Sequence, residues 1–290
     1  EVLEAARELA VKRGIVVTGS EAVGVVPFDA MQQAGRFYLR RMQQSTGVPA
    51  RDIVTTAVQA MGLSDVAEFD IDKKVIGMPV SDGPLVNLTV NGFVDEVSRG
   101  TPAPGGGSIA ALAGAIGSAL ASMVVHLSIG KGEYDNRYDE LCELAEKAQQ
   151  IKDELMRAVD EDTEAFNEVI AGIRMPKDTP EQIALRSKVI REGYKAAARV
   201  PFNTAQLCSE VLDLCQTAAD IGNQAVMSDA GVGALMALAG VQGAIHNVRI
   251  NLPNTKDEAF IAGMEESLDD LLSGSRERCE AIQRQVENSY

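Results

Sequence analysis

The chain has 290 residues, 46% of them hydrophobic, enough for one large or two ordinary domains with a sizeable core. A formal charge of -15 excludes a nucleic-acid surface and an anionic membrane as partners, since either would repel it. Two histidines, and four cysteines (Cys142, Cys208, Cys215 and Cys279) without a C-x-x-C pair, exclude a zinc set and fit buried thiols in a reducing cytoplasm.

Aromatic residues make up 4% of the chain, Trp is absent, and Ala, Gly and Leu dominate, which suits close helix packing better than a β-sandwich. The first residue is Glu1 rather than Met and no signal peptide is present, so a piece of a longer protein is expected. Val2 to Lys12 reads as a helix closed by Gly14, Ile15 to Thr18 as a β-branched strand and Ala22 to Val26 as a second strand. Pro27 opens an amphipathic helix carrying Phe28, Met31, Ala34, Tyr38 and Met42, and Asp52 to Met61 gives another. Residues 1–63 thus form a small partial α/β segment with too few strands to close a sheet, the tail of something larger. From 64 to 88 periodicity fades around Pro79, Asp82-Gly83 and Pro84, giving a linker with extended segments at Lys74 to Ile76 and Val86 to Val90. Residues 89–290 read as an all-α domain, opened by a short helix at Phe93 to Ser98.

The stretch from Thr101 to Lys131 organises that domain. Pro102, Pro104 and the glycines Gly105, Gly106 and Gly107 stop any earlier helix, and Ser108 is placed to cap an uncharged run to Ile129. Small residues at Ala110, Gly114, Gly117 and Ala121 predict a central helix, buried all round and closely approached by other backbones. Its length suits a bilayer, yet it is rich in Ala, Gly and Ser, carries His126 and lacks a basic flank or aromatic belt. Gly105, Gly107 and Ala110 fit a dinucleotide-binding spacing, but no strand leads into them. A phosphate loop ending at Gly130-Lys131 fails at both ends, at Val125 and Gly132. A bare helix N-terminus remains, whose free N–H groups suit either an anionic or carbonyl-bearing ligand or a purely structural cap.

Tyr138 to Ile173 is one long helix whose apolar stripe includes Leu144, Ile151, Leu155, Val159, Phe166 and Val169. Asp162 falls at the centre of that stripe, while Asp160, Glu161, Thr163 and Glu164 point elsewhere, toward solvent. A carboxylate buried there must be hydrogen-bonded, paired or protonated, and desolvation raises its pKa. It is either a proton carrier or a core Asp that caps or bridges another helix. Glu181 to Val200 resumes a helix that Pro201 kinks or restarts before a run to Ile221. Ser228 or Asp229 is placed to cap a helix from Ala230 to Ile250, whose Gly231, Ala234, Ala237, Gly240 and Ala244 predict a close crossing with the first small-residue helix. Asn247 and Asn251, one turn apart, either satisfy helix ends or grip a polar ligand. Asp257 to Glu287 is a final amphipathic helix.

The strings FVDEVSRGTPAPGGGSIAALAGAIGSALASMV, VDEDTEAF, RMPKDTPE, SDAGVGALMAL and HNVRINL, in this order from about Leu88 onward, resemble the formimidoyltetrahydrofolate cyclodeaminase family. Upstream, GIVVTGSEAVGVVPFDAM is similar to the end of the glutamate formimidoyltransferase domain fused to it in bifunctional enzymes. The resemblance implies a mostly α protein, a multi-helix bundle after the partial α/β segment, assembling as at least a homodimer. It implies ring closure of 5-formimidoyltetrahydrofolate to 5,10-methenyltetrahydrofolate with loss of ammonia, and places the family's catalytic aspartate on Asp162. Transferase activity is not expected, because that domain's catalytic histidine has no counterpart here. Folate, often polyglutamylated, is the expected substrate, with no resident cofactor or metal. Lys131, Arg174 and Lys177 are the candidate cations for it; Gly105, Gly106, Gly107, Ser108, Asn247 and Asn251, with Asp229, are the other candidate contacts. Two alternatives compete: a methenyltetrahydrofolate cyclohydrolase, and a catalytically silent helical oligomerisation module.

Overall fold

The computed structural model describes residues 2–79, 83–101 and 103–289; Asp82 of the expected turn and Pro102 of the expected helix stop lie outside them. The chain divides into two compact units, Glu1–Val80 and Ser81–Tyr290.

The smaller unit runs α1 (Val2–Val11), β1 (Val26–Pro27), α2 (Phe28–Arg41), α3 (Ala50–Met61), α4 (Ile71–Lys74) and β2 (Val75–Ile76). Pro27 fixes the extended backbone before α2 (φ -62°, ψ 141°), and Gly62 ends α3 in the left-handed region at φ 64°, where a Cβ is penalised. Met31, Val54, Ala57, Val58, Phe69 and Val75 form the core of this unit. Two strand expectations are corrected. Ile15 to Thr18 forms no strand, and Ile15 and Val16 are exposed, because β-branched residues need a neighbouring ladder that they do not have. Of Ala22 to Val26 only Val26 pairs, in a parallel register of Val26 with Val75 and Pro27 with Ile76.

The larger unit consists of α5 (Val90–Val97), α6 (Gly106–His126), α7 (Tyr138–Ile173), α8 (Pro180–Ile221), α9 (Met227–Thr255) and α10 (Glu258–Glu287). Local chemistry sets the boundaries. Thr89 accepts the Gly92 N–H to start α5, and Thr179 with Gln182 forms a capping box ahead of α8, where Pro180 occupies the first turn. Asp257 accepts the Phe260 N–H at 3.1 Å to start α10. Val86 to Val90, expected to be extended, is instead a turn running into α5.

α6 lies at the centre. Its glycines meet α9 in antiparallel order: a Cβ on Gly117 would come within 2.7 Å of the Gly233 carbonyl, and one on Gly240 within 2.9 Å of the Ala110 carbonyl. α7 also runs antiparallel to α6, joined by Ser108 Oγ donating to the Val159 carbonyl and Ser118 Oγ to that of Ala148, both at 2.7 Å. α8 runs parallel to it, with the Cys208 and Cys215 thiols facing the Ala110 and Gly117 carbonyls at 3.8 and 4.0 Å. All four cysteines are buried and free, and burial pushes the Cys208 and Cys215 thiols up to about 12, so they stay protonated.

Three further expectations are corrected. Ser108 does not cap α6: Gly105 is the N-cap, and the Ser108 hydroxyl inside the first turn is committed to α7. Ser228 and Asp229 do not cap α9, which starts earlier, at Met227, with Val226 at its N-cap and no side-chain cap. Nor is α6 buried all round, since Ile109, Ile116 and Met123 are 39%, 42% and 43% exposed. α6 and the segment Gln224–Thr255 are long and apolar enough to cross a membrane, and 67% of the first is buried inside the protein.

Pro201 lies within one continuous helix, α8. A proline there supplies no N–H to the Ala197 carbonyl one turn back, and Asn251 Nδ2 of α9 donates to that carbonyl at 2.9 Å instead. On α7, Asp160 is buried rather than solvated as expected, because the turn at Gly83 to Val86 covers this flank of the helix. The Asp160 carboxylate accepts the Leu85 N–H at 2.9 Å and the Val86 N–H at 3.3 Å. Asn251→Leu should therefore cost about 1–3 kcal/mol in urea unfolding, with part regained when Pro201→Ala restores the missing donor. Asp160→Asn should speed amide hydrogen exchange at Leu85 and Val86 while leaving the α6 amides protected.

Candidate active site

The first turn of α6 presents backbone N–H groups that the helix cannot satisfy itself. Gly105 precedes it in an extended conformation (φ -130°, ψ -158°), and no side chain from its own N-cap covers it. The cover comes from α7. Asp162 is half-buried, its carboxylate accepts the Ser108 N–H, and a methyl group on Gly107 would overlap it. From the other side α9 brings Asn247: a Cβ on Gly106 would come within 2.9 Å of its Nδ2, which donates to the Gly243 carbonyl at 2.8 Å. Glycine at 106 and 107 is thus a matter of space, since both neighbouring side chains stand where a Cβ would be.

Burial pushes the Asp162 carboxyl above the usual range, against the opposing pull of the Ser108 N–H. With a single backbone donor at a helix N-terminus, it is more readily protonated than an ordinary carboxyl. The next side chain is also unusual. Thr163 Oγ1, expected to be solvated, is buried with no hydrogen-bond partner among the described residues.

The sequence candidates separate into two groups. Gly105, Gly106, Gly107, Ser108, Asp162 and Asn247 come together at one end of α6. Asn251 stands one turn from Asn247, but both Nδ2 hydrogens are committed, to the Ala197 and Asn247 carbonyls at 2.9 Å each. Lys131 is exposed at the other end of α6, between Gly130 and Gly132, whose φ values are 76° and 67°. That places it about 30 Å from the glycine turn at 1.5 Å per residue. Arg174 is the C-cap of α7, about 18 Å along the axis from Asp162, and Lys177 is exposed in the turn beyond it. Asp229 lies in the first turn of α9, at the end remote from Asn247. Arg186, which the sequence did not single out, closes the C-terminus of α7 by donating twice to the Ile173 carbonyl, at 3.1 and 2.9 Å. A cleft of about 630 Å³ opens between α7 and α8, lined by Arg157, Glu161, Asn203 and Thr204 among others.

A family model for formiminotransferase-cyclodeaminase matches residues 89–270, and one for the formiminotransferase domain matches residues 1–81. The chain is 35% identical over 263 residues to a formimidoyltransferase-cyclodeaminase of Mus musculus, covering 89% of this chain and 48% of the relative. It therefore spans about half the length of that relative. It is 39% identical over 187 residues to a methenyltetrahydrofolate cyclohydrolase of Methylorubrum extorquens, covering 64% of this chain and 90% of the relative. Among solved structures, a formiminotetrahydrofolate cyclodeaminase from Thermotoga maritima superposes with a TM-score of 0.63 at 25% identity, over 70% of this chain and 97% of that one. With the larger unit matched almost throughout and the smaller one by the partner domain, the chain belongs to the formiminotransferase-cyclodeaminase family.

Proposed function

We propose that the chain is a formimidoyltetrahydrofolate cyclodeaminase, converting 5-formimidoyltetrahydrofolate to 5,10-methenyltetrahydrofolate and ammonia. The observation that carries this reading is the half-buried Asp162 carboxylate, held above its ordinary pKa against the first turn of α6. The formimidoyl group reacts as the protonated N5–CH=NH2+ cation: ring closure joins N10 to its carbon and frees the N10 proton, and elimination breaks the bond to the terminal NH2, which gains that one proton to leave as ammonia and gives the methenyl cation. Asp162 takes the first proton as the carboxylate and returns it to the departing nitrogen, ending in its starting state. A raised pKa makes the carboxylate a stronger base for the first transfer than an ordinary aspartate.

The glycine turn brings the substrate near this group, with the remaining N–H groups of Gly106 and Gly107 and the Asn247 amide as polar contacts for the pterin. Arg174 and Lys177, beyond the C-terminal end of α7, are the cations toward which a long glutamate tail extends from this turn, whereas Lys131 stands at the opposite end of α6, too far away to share it within one chain. The four buried, free cysteines fit a reducing compartment, and the reaction belongs in the cytoplasm. No resident cofactor or metal enters the scheme.

The similarity to a methenyltetrahydrofolate cyclohydrolase supports a second reading, in which the same carboxylate activates water toward the same carbon. Incubation with 5-formimidoyltetrahydrofolate, following methenyl absorbance and ammonia, separates the two. Ammonia release supports the first reading, hydrolysis of added methenyltetrahydrofolate without it the second, and neither from a folded protein rejects both. Asp162→Asn should lower kcat by about 100-fold or more with KM little changed. In the wild type, kcat/KM should rise with pH through the raised Asp162 pKa, and this limb should vanish in the variant.

Stability supplies an independent check. Because the Asp162 pKa is higher folded than unfolded, the folded state holds the extra proton, and stability falls as pH rises through the folded value. Asp162→Asn should therefore stabilise the chain at neutral pH and have little effect below the ordinary carboxylate range, as read from urea midpoints at the two pH values.

A further inference from the structure

Inside an α-helix a threonine or serine hydroxyl often donates to the carbonyl four residues back. Thr55 in α3, Thr204 and Thr217 in α8 and Ser267 in α10 do so, with bonds between 2.7 and 3.2 Å. Thr163 in α7 does not. Its Oγ1 is buried and has no hydrogen-bond partner among the described residues. A hydroxyl shielded from water and left without a partner lowers stability, so its presence beside Asp162 calls for a reason.

The reason is at the Val159 carbonyl, four residues before Thr163. Within α7 it accepts the Thr163 N–H, and from α6 it accepts Ser108 Oγ at 2.7 Å. A carbonyl oxygen has two lone pairs, and both are taken, so the Thr163 hydroxyl is shut out. A bond between residues 51 positions apart has displaced the local one. Ser108 also holds α7 at a second point, since its N–H donates to the Asp162 carboxylate. Val159 and Asp162 are about one turn apart, and two bonds to them from a single residue set both the height and the rotation of α7 against the first turn of α6. Ser108 itself is fully buried, so water does not compete for its hydroxyl.

We propose that Ser108 is the positioning residue for Asp162: its hydroxyl displaces that of Thr163 from the Val159 carbonyl and thereby holds the Asp162 side chain against the glycine turn. The unpartnered Thr163 hydroxyl is the cost of that placement, a local rule broken next to the reacting group. It is also a reserve donor. Once the Ser108 hydroxyl is removed, Thr163 rotates about its Cα–Cβ bond and makes the ordinary bond to Val159, so α7 stays intact while losing one of its ties to α6. The placement stands on the hydrogen bonds alone; its effect on turnover rests on the folate reading above.

Ser108→Ala should fold with a urea midpoint close to that of the wild type, and Thr163→Val, which removes the orphaned hydroxyl, should match or exceed it. Combined, they should lower the midpoint by more than the two separate shifts add up to, because the Val159 carbonyl then has no hydroxyl donor at all. Additive midpoints, or a Ser108→Ala chain that does not fold, would overturn the displacement of Thr163. Followed by carbon-13 NMR, the Asp162 carboxyl should titrate at higher pH in Ser108→Ala, as the Ser108 N–H that lowers its pKa draws away, and at the wild-type pH in Thr163→Val. In ammonia release from 5-formimidoyltetrahydrofolate, Ser108→Ala should lower kcat about 10-fold with KM little changed, while Thr163→Val keeps both. A Ser108→Ala protein with unaltered titration and unaltered kcat would overturn the positioning role. If the wild type releases no ammonia and the Ser108→Ala titration still moves, the folate reading sinks and the positioning stands.

Discussion

The backbone contact between α6 and α9 is the constraint on which the larger unit depends. Helices ordinarily pack 8–10 Å apart, separated by their side chains. Here Gly117 faces Gly233 and Gly240 faces Ala110, so carbonyls lie where a Cβ would otherwise stand. That approach puts Asn247 against Gly106, while α7, tied to the opposite flank of α6 by two serine hydroxyls, brings Asp162 against Gly107. The site is therefore a by-product of helix spacing. Widening the crossing by the thickness of one methyl group would separate the amide from the helix N-terminus.

Asp160 and Asp162 show how environment divides two identical groups on one helix. The first accepts two backbone N–H bonds from the turn at Leu85 and Val86 and is thereby a structural clamp. The second accepts one, from Ser108, and loses more to desolvation than that bond returns. Donor count and the segment packed against each, rather than residue type, decide which of them holds a neighbouring turn in place.

Features set by periodicity were legible in the sequence: the limits of α7 at Tyr138 and Ile173, the inward placement of Asp162, and the close crossing of the two small-residue helices. What failed depended on partners distant in the chain. Ser108 has the chemistry of a cap, but the Val159 carbonyl claims its hydroxyl, and Asp160 is covered by a turn 75 residues earlier that no local pattern ties to it. The role of Asn251 depends on Pro201, fifty residues earlier, which deprives the Ala197 carbonyl of its donor, and the local spacing of Asn247 and Asn251 carries no trace of it. Ile15 to Thr18 has strand-forming residues and no strand to join.

The spacing of these contacts along the chain bears on the order in which the unit is made. Leu85 and Asp160 are separated by 75 residues, and Ala110 and Cys208 by 98. During synthesis the uncharged α6 emerges long before the helices that enclose it, exposing an apolar segment to the ribosome surface and to chaperones in the meantime. Closure of such distant loops slows assembly even in an all-helical architecture, so this bundle should fold more slowly than its helix content alone indicates.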